Sequence, residues 1–404
     1  MSFSIGLSGL RAVSEELNVI SHNIANVNTA GFKAGRAEFA ALYSGGQAGG
    51  VEMNNVSQNF DRNGDVVTSG RALDLAISGS GFFVLSDSKG QVAYSRAGMF
   101  QKDADNRIVA SNGMALQGYG VNADGQLVPG VIGDLKVTAA NVPAKASTKV
   151  DFVANLKADA SKVDTTAAGY TFDPNDASSY NFSQSGKLFD SLGVEHTLTH
   201  YFVKTGDNTW RTHYYVDGKP VQSGGADQVQ DLVFKADGSL QSPTGNVTLN
   251  LSPAGANPMV VELNVSGLSQ YASDFNVSRN QSDGYTAGDM TGVRIEQDGS
   301  LMAVFSNGQS LLQGQIVMAN FANASGLQQG DNTTWTQTFS SGQPTLGVPG
   351  TGTLGSLTSG SYEGSNVDLT GELVNLMTAQ RNYQANAKSI SAADKMTQVL
   401  FNSF

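Results

Sequence analysis

Apolar residues near the start of the chain recur every three or four positions, the spacing that places side chains on one face of an α-helix. These residues are Leu10, Val13, Leu17, Ile20, Ile24 and Val27. Polar residues such as Glu15 and Asn23 occupy the other faces. Gly31 follows, and glycine readily takes the left-handed conformation that ends a helix. The pattern predicts an amphipathic helix with a narrow apolar seam.

The same spacing returns at the other end of the chain over a longer stretch. Its apolar positions are Leu369, Leu373, Leu376, Ala379, Tyr383, Ala387, Ile390, Met396 and Leu400. Just before them, Ser365 and Asp368 have the three-residue spacing of a capping box, with Asp in place of the usual Glu. We therefore expect two amphipathic helices, one at each end of the chain.

Between the two helices the pattern changes to alternation with a period of two and to frequent turns. The turn signals are Asn63-Gly64, Asn112-Gly113, Asp124-Gly125, Asp237-Gly238, Asp298-Gly299 and Asn307-Gly308. Such pairs suit the tight turns that join antiparallel strands. The predicted fold class is α+β, with mainly antiparallel, barrel-like β domains nested between terminal helices that pair in a coiled-coil-like domain.

The patterns also predict a nested domain order, in which one β domain is inserted into another. The predicted parts are an inner helical domain of residues 1–30 and 366–404, a middle β domain of 71–145 and 285–365, a linker segment 31–70 packing between these two domains, and an inserted barrel-like β domain of 146–284.

Composition and charge exclude several classes of function. The net charge is −11, so a nucleic acid backbone would be repelled. The chain has no cysteine, which rules out disulfides, thiolate metal sites and a cysteine nucleophile. No stretch approaches the length of a membrane-spanning helix, and the N-terminus does not resemble a cleavable signal peptide. Export, if it occurs, is expected to need no cleaved signal.

Short motifs that could indicate catalysis or ligand binding lack the context that this chemistry needs. Gly350, Gly352 and Gly355 match a dinucleotide-binding spacing, but no buried strand leads in and no helix follows, so a loop is favoured. His196, His200 and His213 could in principle hold zinc, but a fourth ligand is missing at a recognisable spacing. We predict no catalytic, metal-binding or cofactor-binding residue, and no enzymatic activity.

Two further motifs are better explained as turns. Residues 86–89 match the S-x-x-K pattern of penicillin-binding enzymes but precede Gly90 in an expected hairpin turn. Asp103 and Asp105 resemble part of a calcium loop without its spaced glycine and glutamate.

The residues at both ends of the chain resemble the signatures of one known family. Residues 21–33, S-H-N-I-A-N-V-N-T-A-G-F-K, are similar to the N-terminal signature of the flagellar axial proteins, and residues 365–369 and 379–388 are similar to their C-terminal signature. The signature positions are Asn23, Asn26, Thr29, Gly31, Phe32, Asn366, Val367, Asp368, Gln380, Arg381, Tyr383 and Asn386. His22 departs from the family, which usually has asparagine or a small polar residue there.

The resemblance implies a structural subunit of the bacterial flagellum. Segments 69–77, 94–100 and 306–335 resemble β segments of rod and hook subunits, and the inserted region favours the hook over the rod. The implied function is to polymerise into the hook, the flexible curved tube that acts as a universal joint in motility. A distal rod subunit is the alternative, and a secreted β-rich adhesin is a further one.

The resemblance also implies partners and a location. The helices would line the inner tube of a homopolymer, with both seams as polymerisation contacts, and the inserted domain would lie outermost. Distal rod and hook–filament junction proteins, the hook cap and the type III export apparatus are the implied partners, in an extracellular location. No cofactor, nucleic acid or membrane insertion is implied. A narrow seam that meets a different patch on the next copy repeats into a helical filament.

Overall fold

The computed structural model describes residues 2–44, 47–122, 125–138, 140–167 and 169–402. The side chain of Leu400 and the turn residue Asp124 lie outside the described part. The chain divides into two compact units. The first consists of Met1–Ala139, Thr291–Val304 and Ser310–Phe404, and the second of Ala140–Met290 and Phe305–Gln309.

The first unit begins with a helix and ten strands. They are α1 (Ser2–Ala25), β1 (Gly35–Ser44), β2 (Gln47–Gln58), β3 (Val66–Thr68), β4 (Leu75–Ser78), β5 (Phe82–Ser86), β6 (Val92–Ser95), β7 (Phe100–Lys102), β8 (Ile108–Ala110), β9 (Ala115–Val121) and β10 (Leu127–Asp134). β1 and β2 form a long antiparallel hairpin.

The second unit follows with fourteen described strands. They are β11 (Asn141–Val142), β12 (Lys149–Lys157), β13 (Phe182–Phe189), β14 (Glu195–Lys204), β15 (Thr209–Val216), β16 (Lys219–Pro220), β17 (Gln222–Ser223), β18 (Ala226–Asp227), β19 (Val229–Phe234), β20 (Leu240–Ser242), β21 (Val247–Leu251), β22 (Met259–Asn264), β23 (Ser269–Tyr271) and β24 (Asn276–Ser282).

The chain then returns to the first unit. The returning elements are β25 (Gly288–Ile295), β26 (Ser300–Phe305), β27 (Ser310–Ile316), β28 (Met318–Asn320), a 3₁₀ turn (Ala324–Gly326), β29 (Gln328–Gln329), β30 (Thr334–Thr336), β31 (Thr345–Gly347), β32 (Ser356–Ser359), β33 (Ser361–Glu363) and α2 (Leu369–Asn402).

The main sheet of the first unit combines strands from both ends of the chain. Its order is β25, β26, β27, β9, β5, β6, β30 and β29. Its aromatic cluster is packed edge to face, with the rings of Tyr94 and Phe321 centred 4.8 Å apart and those of Phe82 and Trp335 5.8 Å apart. Because these residues come from distant segments, the return of the chain completes the core of this unit.

The second unit has two main sheets that share one hydrophobic core, besides the short pair of β17 and β18. The first has the order β21, β22, β12 and β23, with β24 also paired to β12, and the second has the order β13, β14, β15, β19 and β20. Phe152 from one sheet and Phe202 and Trp210 from the other are fully buried in the shared core. The sheets are open, so the expected barrel-like closure is wrong, although the α+β class is confirmed.

Two strand pairings also depart from the antiparallel expectation. β12 runs parallel to β22 and to β23, and antiparallel to β24. The chain leaves β12, builds the second sheet and returns to β12 only afterwards. A long crossover connection permits parallel pairing, whereas the turn signals report only on strands that are neighbours in sequence.

Several of the short motifs lie in turns. Asp87 Oδ1 accepts hydrogen bonds from the backbone N–H groups of Lys89 and Gln91 between β5 and β6. Asp103 plays the same part between β7 and β8, where its carboxylate also binds Arg107 Nε at 2.8 Å. Residues 350–355 form a loop that leads into β32, not into a helix. Within the described residues, neither helix combines the length and apolarity needed to span a membrane.

Candidate polymerisation surface

The two terminal helices pack against each other in antiparallel directions. Val13, Ile20 and Ala379 are buried between them, and Leu17, Ile24 and Leu376 pack around this small cluster. Towards the chain ends, a Cβ atom added to Gly6 would lie 2.8 Å from Ile390 Cγ1, and one added to Gly9 would lie 2.9 Å from Asn386 Nδ2. The glycines therefore let the two helix backbones approach closely.

The N-terminal seam is largely covered within the chain itself. Val13 and Ile20 are buried, and Leu10, Leu17, Ile24 and Val27 are half-buried. The seam residues therefore share one covered face of α1, and part of that face contacts α2 of the same chain. The seam residues on α1 are therefore not free to serve only as contacts between copies.

The C-terminal seam is divided between two environments. Leu376, Ala387 and Ile390 are half-buried and Ala379 is buried, whereas Leu369 and Leu373 are 43% and 46% exposed. Tyr383 is 43% exposed and Met396 is 64% exposed. Hence only part of this predicted stripe faces α1, and the remainder stays open to solvent.

More apolar side chains are exposed on the helices than the seam spacing predicts. They are Phe3, Ile5 and Leu7 on α1 and Val374, Met377 and Val399 on α2. Phe3 and Leu7 continue the three-or-four spacing from Leu10 towards the N-terminus, so the predicted seam was drawn too short. Ile5 and Val374 fall between seam positions, where a three-or-four repeat does not select them.

Asn23 ties the end of α1 to the start of α2. Its Nδ2 donates to the Gly35 carbonyl at 2.8 Å and to Glu372 Oε1 at 2.9 Å, and its Oδ1 accepts the Gly35 N–H at 2.9 Å. The side chain is 1% exposed. A buried amide whose donors and acceptor are used in this way specifies one geometry.

The end of α1 explains several other signature residues. Thr29 Oγ1 donates to Asn26 Oδ1 at 3.0 Å, and Asn26 Nδ2 donates to the His22 carbonyl at 2.9 Å. Gly31 has a φ of +68°, and a Cβ added to it would lie 2.3 Å from the Ala97 nitrogen. Both the positive φ and the close approach require glycine here.

The unusual His22 has a partner at this turn. Its ring is centred 5.4 Å from the ring of Phe32, which is buried. An aromatic contact of this kind gives a physical reason for an imidazole where the family usually has a small polar residue.

Asn366 and Asp368 shape the entry to α2. Asn366 Oδ1 accepts the Ala34 N–H at 2.7 Å, and its Nδ2 donates to the carbonyls of Asn59 and Arg62 at 2.8 Å. Val367 lies between them and is half-buried.

The prediction of a capping box with Ser365 as the N-cap of α2 is wrong. Asp368 is itself the N-cap, because its Oδ1 accepts the N–H groups of Thr370 and Gly371 at 3.1 and 3.3 Å. Ser365 Oγ accepts only the Val367 N–H, at 3.3 Å. A capping box and a simple N-cap use the same residue types, so their spacing alone does not separate them.

A buried ion cluster lies immediately before α2. Glu363 binds Lys33 Nζ at 2.8 Å through Oε1 and Arg96 Nη1 at 3.1 Å through Oε2. Its Oε1 also accepts the Gly64 N–H at 2.9 Å. Lys33 donates to the Arg62 carbonyl at 3.0 Å. The three charged side chains, Lys33, Arg96 and Glu363, which we call the junction triad, are at most 4% exposed.

Burial is the main electrostatic effect at the junction triad. It lowers the pKa of Lys33, and the nearby Arg96 charge lowers it further, whereas Glu363 opposes the shift. Burial also lowers the pKa of Arg96 against the effect of Glu363. No local pattern predicts this cluster, because its members are far apart along the chain. Asn63-Gly64 was expected to form a turn between strands, whereas Gly64 is needed for the close approach to Gly364 and Glu363.

The remaining signature residues lie along α2. Gln380 and Arg381 are exposed, as is Tyr383, while Asn386 is half-buried beside Gly9. The signature therefore splits into residues that hold the junction together and residues that face outward from the helix pair.

The three histidines considered for zinc have separate environments in the second unit. His200 stacks on Phe152 at 4.7 Å, and its complete burial lowers its pKa to about 3. His213 stacks on Phe172 at 3.9 Å, and burial lowers its pKa to about 4. Within the part of the chain that the structure describes, no group of three His, Asp or Glu residues is placed to hold a metal ion.

Family models match most parts of the chain. A model described as flagella basal body rod protein matches residues 3–33, and one described as flagellar basal body rod FlgEFG protein C-terminal matches residues 358–403. The flagellar hook protein FlgE/F/G D1 domain matches residues 76–189, and the flagellar basal body protein FlaE D2 domain matches residues 155–285. The chain is thus an axial subunit of the bacterial flagellum.

Full-length relatives define the family more closely. The chain is 38% identical to the flagellar hook protein FlgE of Escherichia coli K12 over 410 residues, with 100% of both chains covered. It is 38% identical to that of Salmonella typhimurium LT2, also with full coverage, and 31% identical to that of Brucella suis, with 98% of this chain and 97% of the relative covered. The chain belongs to the flagellar hook protein family, and it is a structural subunit of the hook, not of the distal rod.

A solved structure supports the fold. The flagellar hook protein FlgE2 of Helicobacter pylori matches with a TM-score of 0.54 at 16% identity, over 72% of this chain and 98% of that one. At this identity the likeness concerns the fold alone.

Proposed function

We propose that the chain forms the hook tube by polymerising through α1 and α2, and that it has no enzymatic activity. The observation that carries the proposal is the set of apolar side chains left exposed on the helix pair, such as Leu373, Met377 and Val399 at 46%, 52% and 67%. Large exposed apolar patches mark interaction surfaces. Contacts with further copies would bury these residues.

The geometry of the helix pair suits an open polymer. Exposed apolar residues lie on both helices, and a contact of α2 in one copy with α1 in the next would join two different patches. A heterologous contact repeats without closing when its rotation does not complete a ring. Such a contact yields a tube of many identical subunits.

The domain assignment from the sequence is part of the same proposal. In it, residues 1–30 and 366–404 line the inside of the tube, residues 71–145 and 285–365 form a middle layer and residues 146–284 form the outer layer. The separation of the chain into two compact units supports an inserted domain of this kind. Contacts between layers that slide past each other would let the tube bend while it transmits torque.

The remaining partners follow from the position of a hook in the flagellum. We propose contacts with the distal rod subunit below, with the hook–filament junction proteins above and with the hook cap during assembly. The chain would reach this extracellular position through the flagellar type III export apparatus without a cleaved signal.

The proposal is tested by removing residues 369–404. We expect the truncated chain to keep folded β units, since their cores do not include α2, but to form no tubes. Circular dichroism reports the folding, and electron microscopy of concentrated protein reports the tubes. Tubes of normal diameter from the truncated chain would rule out polymerisation through the helices.

A point substitution makes the same test without a deletion. The predicted seam points to Ile20→Asp and Leu376→Asp, but both residues pack in the helix pair, so these variants would also destabilise the single chain. Leu373→Asp tests the contact between copies alone, because Leu373 is exposed in the single chain.

A further inference from the structure

An acidic cleft lies beside the helix pair in the first unit. It has a volume of about 1300 Å³ and is bordered by α1, the β1–β2 hairpin, residues 323–329 and the first turns of α2. Its charged lining consists of Glu16, Glu38, Asp61 and Glu372 against Arg36 alone. Much of the remaining lining is uncharged and polar. The cleft therefore favours a positively charged occupant.

Three basic residues form a stripe on α2. Arg381, Lys388 and Lys395 follow each other at intervals of seven residues, so that they share one helix face, and all three are exposed. Arg381 and Lys388 each come two residues after a position that faces α1, namely Ala379 and Asn386. Two residues correspond to about 200° around a helix, so the stripe points away from α1.

The charges of the stripe have no partner of opposite sign among the described residues of the single chain. Among the described residues, no carboxylate lies within 4.0 Å of the basic groups of Arg381, Lys388 or Lys395. In the cleft, Glu38 pairs with Arg36 at 3.4 Å, but Glu16, Asp61 and Glu372 form no ion pair with a described basic residue. Unpaired charges of opposite sign thus occupy two separate places on the same subunit.

Lys388 and Lys395 cannot reach the cleft of their own chain. Gly9 lies beside Asn386, and Glu16 is seven residues further along α1, about 10 Å away in the direction of Glu372. Lys395 lies still further from the cleft, near the end of α2, and the stripe faces away from α1. Any pairing of Lys388 or Lys395 with the cleft must therefore join two copies.

We propose that the cleft of one subunit receives the basic stripe of α2 from a second copy of this chain. The volume of the cleft matches roughly three turns of a helix of about 10 Å diameter, which is enough to hold Lys388 and Lys395 together. The stripe and the cleft are different surfaces, so this contact is heterologous and repeats along a polymer. It rests on the proposed polymerisation and identifies one of its contacts.

The absence of cysteine from the chain allows a direct test by cross-linking. Two double variants, Glu16→Cys with Lys388→Cys and Asp61→Cys with Lys395→Cys, are assembled into tubes and oxidised. A disulfide needs Cα atoms within about 7 Å, so neither pair can close within one chain. We expect at least one pair to give a reducible ladder of dimers and longer chains, while each single variant gives at most dimers. Tubes that form without such a ladder from either pair overturn the proposal.

Charge reversal gives an independent test on the polymer. Lys388→Glu with Lys395→Glu should raise the protein concentration needed for tube formation about tenfold, because two attractions become repulsions. Adding Glu16→Lys and Asp61→Lys to the same chain should restore most of the loss. Lys89→Glu with Lys102→Glu is the matched control, since it changes the same charge at exposed lysines outside the helices and the cleft.

The results distinguish docking of the basic stripe in the cleft from polymerisation through the helices in general. An unchanged threshold for the Lys388 and Lys395 variant, or no rescue by the added lysines, overturns the docking of the stripe. If the chain without residues 369–404 still fails to form tubes, polymerisation through the helices stands even so. All variants are checked for unchanged monomer melting, which is expected because the lysines are exposed.

Discussion

The second unit and the terminal helix pair use apolar residues in opposite ways. The second unit gathers twenty buried hydrophobic residues in one core. The helix pair has 24 and 34 residues in its two helices, and the cluster between its described residues buries Val13, Ile20 and Ala379, while apolar side chains on both helices stay exposed. The second unit thus buries its apolar residues within one chain, whereas in the proposed polymer other copies would bury the apolar residues that the helix pair leaves exposed.

The charged residues also differ between the second unit, where they form ion pairs, and α2, where several have no described partner. In the second unit Lys187 pairs with Glu195 at 3.0 Å and Arg211 with Asp231 at 2.8 Å. On α2, Arg381, Lys388 and Lys395 have no described partner. Surface ion pairs add little stability, so the unpaired charges cost the monomer little and stay available for contacts between subunits.

The largest effect on the single chain is expected in the core of the second unit. Trp210→Ala removes a fully buried ring and the hydrogen bond from its Nε1 to Gln270 Oε1 at 2.6 Å. The free energy of unfolding should fall by about 4 kcal/mol, measured by urea unfolding with circular dichroism. Trp210→Phe, which keeps a ring, should lose clearly less. An equal loss from both would show that ring packing is not what stabilises this core.

The junction triad should come close to this effect. Glu363→Gln leaves Lys33 and Arg96 buried without a countercharge and should cost about 3–5 kcal/mol. The fluorescence of Trp335, which lies in the first unit, can follow the unfolding. Glu195→Gln is the matched control, because its partner Lys187 is largely exposed, and its effect should stay within about 0.5 kcal/mol. Similar losses for both variants would contradict a special role for the triad.

Acid should weaken the second unit through His200. Its pKa is lowered to about 3 by burial, so the folded state keeps it neutral while the unfolded chain binds a proton below about pH 6.5. Stability is therefore full above pH 6.5 and falls by about 2–3 kcal/mol between pH 7.5 and 4.5. His200→Phe should flatten this dependence in urea unfolding, since a phenyl ring can stack on Phe152.

His196 provides the control of opposite sign. Its hydrogen bond to Asp217 at 2.6 Å raises its pKa. Its contribution is fully present below the unfolded pKa and is lost as pH rises through the folded one. His196→Gln should therefore weaken the protein at pH 5.5 and leave it nearly unchanged at pH 9. A loss of the same size at both pH values would contradict this assignment.

The smallest effect on the monomer is expected on the helix pair. Leu373→Asp changes a side chain that is 46% exposed and should alter the free energy of unfolding by no more than about 0.5 kcal/mol. Tube formation, followed by electron microscopy, should nevertheless be lost. A large loss of monomer stability would mean that α2 is packed as an ordinary bundle helix, and the contrast with the second unit would fail.

Local patterns predicted much of this arrangement. The spacing of Val13, Ile20 and Ala379 identified the faces on which the two helices pack. Asp368 was correctly placed at the start of α2, but it was expected as the N3 residue of a capping box and is the N-cap. The junction triad was not predicted, because Lys33, Arg96 and Glu363 come together only in the folded chain. The parallel pairing of β12 was missed for the same reason, because spacing describes neighbours in sequence and not neighbours in space.

The position of Glu363 also has a consequence for how the chain folds. Its two partners come from near the start of the chain, and Lys33 is separated from it by 330 residues. Closing a loop of this length costs about 5 kcal/mol of chain entropy by its length dependence alone, and contacts of such long range slow folding. A chain that emerges N-terminus first cannot complete the triad until residue 363 has emerged as well. The first unit therefore reaches its final form late, when nearly the whole polypeptide is present.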